Sequence, residues 1–169
     1  KPTIFGTYLL NSTETGELLA VMDATRLTTW RTAAASALAS RYLSRPDSVV
    51  MVMIGAGALC PYMIRAHASV RPIQRVMIWN RTHAHAEDAA RRFAGTALDV
   101  HAVTDLEAAC SEADIITSAT ISSEPLIHGA WLRDGTHVDC VGAYNKSLRE
   151  TDDDVVRRAR IFADTMAGC

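Results

Sequence analysis

Cysteine is scarce in this chain of 169 residues and follows no metal-binding pattern. The four cysteines, Cys60, Cys110, Cys140 and Cys169, form no C-x-x-C pair and no cluster with histidine. This spacing favours reduced thiols in a cytoplasmic protein, and no metal site is predicted. The sequence also lacks an apolar run of about 18 residues and an N-terminal secretory pattern, so we expect no membrane partner and no export.

The chain has no excess of charge of either sign. Its 17 basic and 19 acidic residues give a formal net charge of -2. The absence of a basic stripe argues against nucleic acid as a partner. Hydrophobic residues make up 49% of the chain, which is enough for a core that needs no disulfides. Because the first residue is not methionine and both ends lie in ordinary folded-looking sequence, we expect one domain of a longer protein.

Two short strand patterns open the chain. Gly6–Leu10 and Leu18–Asp23 flank a turn-forming Glu-Thr-Gly-Glu sequence and predict an antiparallel hairpin. A hairpin alone is marginal in water, so it needs a sheet to join. An alanine-rich helix over Leu27–Leu43, capped by Asp23 or Thr25, is predicted to follow.

Apolar runs without polar alternation then alternate with helical segments. The predicted strands are Val49–Ile54, Arg75–Trp79, Val100–Ala102, Ile115–Ser118, His137–Cys140 and Ile161–Ala163. The predicted helices are Leu59–Ser69, His83–Phe93, Leu106–Cys110, Gly129–Leu132 and Asp152–Ala159. Strands of this kind are buried on both faces, so we predict an α/β fold with a doubly wound parallel sheet.

A glycine turn, Gly55-Ala56-Gly57-Ala58, follows the first buried strand and opens a helix. It matches the first half of the dinucleotide fingerprint, in which glycines let backbone N–H groups approach a pyrophosphate at a helix N-terminus. Cys60 fills the third glycine position. Such a turn could also be a tight connection in any α/β sheet, but the strand–turn–helix context favours a Rossmann-type dinucleotide site.

The next strand ends in Trp79-Asn80-Arg81-Thr82, where an acidic residue would hold the ribose of NAD. An amide, a guanidinium and a hydroxyl can instead donate to a 2′-phosphate, so NADP(H) is predicted in preference to NAD(H). The alternative is that Arg81 and Thr82 only cap the following helix. His85 could contribute to the same site or be a solvated surface side chain.

Small residues follow two further strands. Thr117-Ser118-Ala119-Thr120 ends one of them, and Val141-Gly142-Ala143-Tyr144 follows another. Ligands of open parallel sheets lie outside the carboxyl ends of the strands, so these turns are predicted to flank the nicotinamide. Small residues also suit tight turns for purely structural reasons.

These motifs resemble the ornithine cyclodeaminase/mu-crystallin family over nearly the whole chain. The resemblance is carried by the runs Thr15-Gly16-Glu17, Leu27-Thr28-Thr29-Trp30-Arg31-Thr32-Ala33-Ala34, Gly55-Ala56-Gly57, Trp79-Asn80-Arg81-Thr82 and Val141-Gly142-Ala143. The R-T-A-A run that begins at Arg31 is the most specific of them, because generic Rossmann enzymes do not share it.

The resemblance implies a two-part subunit. Residues 25–169 would be its NAD(P)-binding Rossmann domain, and residues 1–24 would belong to or link with a missing substrate and dimerisation domain that makes a homodimer. By the same analogy Arg31 holds the carboxylate of a small amino or imino acid, although by itself it reads as a surface helix residue. The family also places Thr32 near the cofactor phosphates, and similar mu-crystallin sequences use an Asn-Arg-Thr run, matching Asn80, Arg81 and Thr82, for the 2′-phosphate of NADPH.

The resemblance implies one leading function and two alternatives. The leading one is an NAD(P)H-dependent reductase of cyclic ketimines such as pyrroline- or piperideine-2-carboxylate, or an amino-acid dehydrogenase. Tyr144 stands where the family's cyclodeaminases have Asp, and a phenol is a poor base at neutral pH. It could donate a proton to an imine or only line the pocket. The alternatives are an NAD-dependent ornithine cyclodeaminase and a non-catalytic protein that binds NADPH and a small ligand.

Overall fold

The computed structural model describes residues 5–165. The elements in chain order are β1 (Thr7–Asn11), β2 (Leu18–Asp23), α1 (Ala24–Leu43), β3 (Val50–Ile54), α2 (Cys60–Val70), β4 (Arg75–Trp79), α3 (His83–Arg91), β5 (Asp99–Val103), α4 (Leu106–Glu112), β6 (Ile115–Ser118), a 3-10 turn (Gly129–Trp131), β7 (His137–Cys140) and α5 (Asp153–Arg158). No helix within this part of the chain is both long and apolar enough to span a membrane.

Five strands form a parallel sheet in the order β5-β4-β3-β6-β7. The chain builds outward from β3 through β4 to β5, then returns to the other side of β3 for β6 and β7. The reversal leaves β3 beside β6, and in such sheets the ligand crevice lies at the carboxyl ends of the strands that meet there. The predicted doubly wound parallel sheet is confirmed.

The core lies on both faces of this sheet. Side chains alternate along a strand, so Met51 and Met53 of β3 face one cluster while Val52 and Ile54 face the other. Helices α2 and α3 complete the first cluster, and α4 and α5 complete the second. All four of these β3 side chains are fully buried, which explains why the strand sequence shows no polar alternation.

The hairpin of β1 and β2 is a separate two-stranded antiparallel sheet. Several of its apolar side chains are exposed, including Leu19 and Val21, each 61% accessible. Helix α1 begins three residues earlier than predicted, because Asp23 accepts hydrogen bonds from the N–H groups of Thr25 and Arg26 at 2.9 and 3.3 Å. The sheet that the hairpin was expected to join is not among the described elements.

Helices α1 and α2 run side by side in the same direction. Near their N-terminal ends, Trp30 packs edge-on against Tyr62 with ring centroids 5.2 Å apart. At their C-terminal ends, Arg71 donates to the Ser44 hydroxyl and to the Ser40 carbonyl, at 2.8 and 2.9 Å. The first half of α1 therefore lies at the carboxyl edge of the sheet, where α2 begins.

The prediction of a strand over Ile161–Ala163 is wrong. Residues 159–165 form no strand, and Ile161 and Phe162 remain 64% and 58% exposed. A short apolar run becomes a strand only where it reaches a sheet edge, and residues 159–165 do not pair with β7.

Three of the four cysteines lie within the described residues, and all three are free thiols. Burial raises the pKa of both Cys60 and Cys110 to about 12, so these two are protonated and inert at neutral pH. Cys140 is exposed. Cys169 lies outside the described residues. No disulfide joins these three cysteines within the described residues, and the reduced state of the thiols stays a prediction.

Candidate functional site

Gly55 joins three strands at the carboxyl edge of the sheet. Its φ of +101° lies in the region that favours glycine, and its N–H donates to the Trp79 carbonyl at 2.9 Å. A Cβ at this position would lie 2.9 Å from the Ala119 carbonyl oxygen. The glycine is thus required by the fold itself, because it lets the ends of β3, β4 and β6 converge.

Neither the backbone conformation nor the packing of the fold requires a glycine at position 57. Its φ is not positive, and a Cβ built on it would meet nothing within 4 Å. The neighbouring N–H groups of Gly57, Ala58 and Leu59 donate to no acceptor within residues 5–165, and no side chain caps α2. These free donors surround open space at the positive end of a helix, an arrangement suited to the close approach of a phosphate group.

Asn80 ties the glycine turn to the loop after β4. Its side-chain oxygen accepts from the Ala56 N–H at 3.1 Å, and its Nδ2 donates to the Thr82 carbonyl at 2.9 Å. The amide predicted to contact a 2′-phosphate is therefore already engaged at both ends, with one Nδ2 hydrogen left over. Its observed contacts hold the 81–82 loop beside the glycine turn.

Arg81, Thr82 and His85 are exposed in this loop and in the first turn of α3. Thr82 occupies the N-cap position of α3, but its hydroxyl makes no capping hydrogen bond. Across the described chain, the guanidinium of Arg81 forms no ion pair or hydrogen bond. The alternative in which these residues only cap the helix is therefore not supported, and their side chains are available to a ligand.

A buried polar cluster lies below the carboxyl edge of β6 and β7. The Thr117 hydroxyl donates to Asp139 Oδ2 at 2.7 Å, and Nε2 of the fully buried His67 lies 3.5 Å from the same oxygen. Burial alone would raise the pKa of Asp139, but hydrogen bonds from His67, Thr117 and Ser36 hold the pKa below its usual value. Asp139 is thus a largely buried carboxylate that these groups keep ionised.

Thr117 was predicted to contact the cofactor, and this prediction is corrected. Its side chain is fully buried and is directed to Asp139, so it has no surface to offer a ligand. The next two predicted residues, Ala119 and Thr120, are partly accessible at the end of β6. The Ala119 N–H donates to the Ile54 carbonyl at 3.0 Å, which keeps this loop against the glycine turn.

Glu150 organises the two loops predicted to flank the nicotinamide. Its carboxylate is 2% exposed. One oxygen accepts from the Ser118 hydroxyl at 2.5 Å and from the Thr120 N–H and hydroxyl at 2.9 and 3.0 Å. The other accepts from the N–H groups of Gly142 and Ala143 at 2.8 and 3.2 Å. The loops after β6 and β7 therefore converge on a single side chain.

Val141 and Gly142 lie at the contact between these loops. The Val141 N–H donates to the Ser118 carbonyl at 2.9 Å. A Cβ on Gly142 would lie 1.9 Å from the Thr120 carbonyl oxygen and 2.5 Å from the Thr120 nitrogen. Only glycine allows the two backbones to approach so closely, so the packing of the two loops explains why residue 142 is glycine.

Sequence reasoning missed Glu150 altogether. The residue stands in the polar run Arg149-Glu150-Thr151-Asp152-Asp153, which reads as the solvated start of a helix. Nothing in composition or periodicity distinguishes the one buried acid of such a run from its exposed neighbours. Asp152 is the residue that caps α5, through its contact with the Val155 N–H.

The remaining predicted residues lie at the periphery of the site. Tyr144 is 79% exposed in the loop after β7. Arg31 is exposed and Thr32 half-buried in the first half of α1. Ala33, the next residue, belongs to the same buried cluster as Cys60 at the start of α2, so this turn of α1 adjoins the glycine turn. Arg31 thus lies at the carboxyl edge of the sheet with its side chain in solvent.

Comparisons with known proteins agree with this architecture. The model of the ornithine cyclodeaminase/mu-crystallin family matches residues 1–168. The chain is 41% identical over 165 residues to a Delta(1)-pyrroline-2-carboxylate reductase of Paracoccus denitrificans, covering 97% of this chain and 52% of that protein. It is 34% identical over 164 residues to the ketimine reductase mu-crystallin of Rattus norvegicus, covering 97% and 51%.

A solved structure is also similar. It is the Delta(1)-pyrroline-2-carboxylate reductase of Thermococcus litoralis in complex with NADH and L-proline, with a TM-score of 0.88 at 33% identity. The match covers 94% of this chain and 50% of that one. The chain spans about half the length of the curated relatives it matches.

Proposed function

Because the chain belongs to the ornithine cyclodeaminase/mu-crystallin family, we propose that it is the cofactor-binding part of an NAD(P)H-dependent imino-acid reductase. The single observation that carries the proposal is Gly57: open space and free N–H donors surround a glycine that the fold does not itself require. The two relatives named as reductases of pyrroline-2-carboxylate or ketimines support the reaction class. Residues 25–169 would form the cofactor domain, and residues 1–24 would lead in from a substrate domain.

The residues around the glycine turn fit a dinucleotide. The N–H groups at the start of α2 would hold the pyrophosphate, with Thr32 nearby on α1. The loops at Ala119–Thr120 and Val141–Gly142 would flank the nicotinamide ring and exclude water from one side of it. When bound, the reduced nicotinamide supplies the hydride for the imine carbon.

The substrate would be a small imino acid that carries a carboxylate. Arg31 would pair with that carboxylate, because a guanidinium makes two parallel charge-assisted hydrogen bonds to it. Its exposed position at the carboxyl edge of the sheet supports this role. Tyr144 would contribute a hydroxyl donor on the side of the imine nitrogen, and the protein would act in the cytoplasm as a homodimer through the substrate domain.

We propose NADP(H) as the preferred cofactor. The end of β4 carries no acidic residue to repel a 2′-phosphate, and Arg81 and Thr82 present a guanidinium and a hydroxyl that have no partner within residues 5–165. The Thermococcus relative was solved with NADH, so membership of the family does not by itself fix the cofactor, and the preference rests on these particular side chains. His85 lies one turn further along α3 and would add a third donor.

The function is tested by following nicotinamide absorbance after the full-length protein is mixed with NADPH and pyrroline-2-carboxylate. We expect rapid oxidation that requires both compounds. Ammonia release from ornithine without net oxidation would instead identify a cyclodeaminase. Tight NADPH binding with neither reaction would identify a binding protein.

The cofactor preference is tested by Arg81→Ala. Loss of a charge-assisted contact with the 2′-phosphate should raise the Kd for NADPH by roughly 10- to 100-fold and change the Kd for NADH by less than about twofold. Arg91→Ala, which replaces an exposed arginine in the last turn of α3, is the matched control and should change neither. A parallel loss of affinity for both cofactors would show that Arg81 supports the loop and does not read the phosphate.

A further inference from the structure

We propose that Glu150 is a positioning residue that sets the nicotinamide end of the cofactor site and leaves its adenosine end unchanged. The proposal rests on the proposed function, because it assigns the loops after β6 and β7 to the nicotinamide. Glu150 would contact neither cofactor nor substrate. It would act through the backbone and side-chain groups that converge on its carboxylate.

The Glu150 carboxylate is suited to positioning the two loops because it is buried and both of its oxygens accept hydrogen bonds. Five donors reach it, two from hydroxyl groups and three from backbone N–H groups; one belongs to Ser118 at the end of β6, and the other four lie in the two loops. Its own backbone carbonyl accepts from the N–H groups of Leu126 and Ile127, each at 3.0 Å. Movement of Glu150 would therefore separate the loops from each other and from the segment that follows β6.

The opposite half of the site has its own support. Asn80 holds the glycine turn, and the Gly55 N–H donates a hydrogen bond to the Trp79 carbonyl, so the contacts that tie this turn to β4 do not involve Glu150. Arg81 lies in the loop after β4, which is separated from β6 by β3 in the sheet. A substitution at residue 150 should thus weaken binding at the nicotinamide end of the site more than at the adenosine end.

Only a carboxylate satisfies these five groups. All of them present hydrogens, and an ionised carboxylate accepts with both oxygens. In Glu150→Gln one oxygen becomes an NH2 group, which must face N–H or O–H donors and leave some of them unpaired. The shape of the side chain is retained, so the substitution changes the hydrogen bonding and little else.

The experiment compares two ligands in the full-length protein: NADPH, and 2′-phospho-ADP-ribose, which lacks the nicotinamide. In Glu150→Gln we expect the Kd for 2′-phospho-ADP-ribose to stay within about twofold, while the Kd for NADPH rises and kcat falls, each by about tenfold or more. The ratio of the two affinities is a binding readout that does not depend on turnover.

Asp114→Asn is the matched control. Asp114 is another buried carboxylate that accepts from backbone N–H groups, those of Val49 and Val50 at 2.9 and 3.0 Å, but it lies at the amino edge of the same sheet. The Asp114→Asn substitution should lower the melting temperature without changing the ratio of the affinities for NADPH and 2′-phospho-ADP-ribose. Ser118→Ala removes one donor to Glu150 from a fully buried position and should change the ratio in the same direction by about threefold.

The possible results separate the two proposals. Equal loss of affinity for both ligands in Glu150→Gln, or an unchanged ratio, would overturn the positioning role. If that variant does not fold, an unchanged ratio in Ser118→Ala overturns it. If the unmodified protein binds neither ligand, the proposed function fails, and the role of Glu150 fails with it for that separate reason.

Discussion

Arg31→Ala should lower kcat/KM for a carboxylate-bearing imine by about 100-fold, the effect of removing a bidentate charge-assisted pair of about 3 kcal/mol. The loss should appear mainly in KM, because in its proposed role Arg31 anchors a carboxylate that does not react. The Kd for NADPH should change by less than about twofold, since the free N–H donors of the glycine turn lie just before α2 and not on α1. Steady-state kinetics and cofactor titration measure the two quantities separately.

Arg41→Ala is the control for this substitution. Arg41 is exposed on the same helix but near its C-terminal end, where α1 meets the end of α2 and not the glycine turn. Its replacement should leave both constants unchanged. Equal effects of Arg31→Ala on substrate and cofactor would contradict the role of Arg31 as the carboxylate anchor.

Gly142→Ala should destabilise the protein more than any other glycine-to-alanine change near the site. The added Cβ would overlap the Thr120 backbone, 1.9 Å from its carbonyl oxygen, and backbone cannot move aside as a flexible side chain can. Overpacking of this kind costs about 3 kcal/mol. For a domain of this size we expect the melting temperature to fall by roughly 6 to 12 °C.

Gly57→Ala should have the opposite effect to Gly142→Ala, because it should impair cofactor binding and leave stability unchanged. The fold offers open space at this position and φ is not positive, so the melting temperature should stay within about 2 °C of the unmodified protein. The methyl group would instead occupy the place proposed for the pyrophosphate and raise the Kd for NADPH by at least about tenfold. Unchanged cofactor affinity would show that the open space is not the phosphate site.

The sheet could be predicted from the sequence because its central strands are buried on both faces. Val50–Ile54 and Ile115–Ser118 are apolar or small along their whole length, and between helical segments this pattern favours a parallel sheet. The same reasoning failed at Ile161–Ala163. An apolar run of three residues carries no information about whether a sheet edge is within reach.

The site could be predicted only where its functional groups are neighbours in the sequence. The glycine turn and the loop at Arg81–Thr82 are each encoded by consecutive residues, and the structure brings them together through Asn80. Thr117 and Glu150 were misjudged or missed because their partners are distant in sequence. Asp139 is 22 residues from Thr117, and Ser118 is 32 residues from Glu150. Burial of a polar side chain is decided by such long-range contacts.

The most direct measurement of the central claim uses NADPH deuterated at both C4 positions, with pyrroline-2-carboxylate and the full-length protein. Mass spectrometry of the product reports where the transferred hydrogen goes. The account predicts proline with one deuterium at Cα for each NADPH consumed. Unlabelled proline, or no proline despite NADPH binding, would contradict the assignment of this chain to an imino-acid reductase.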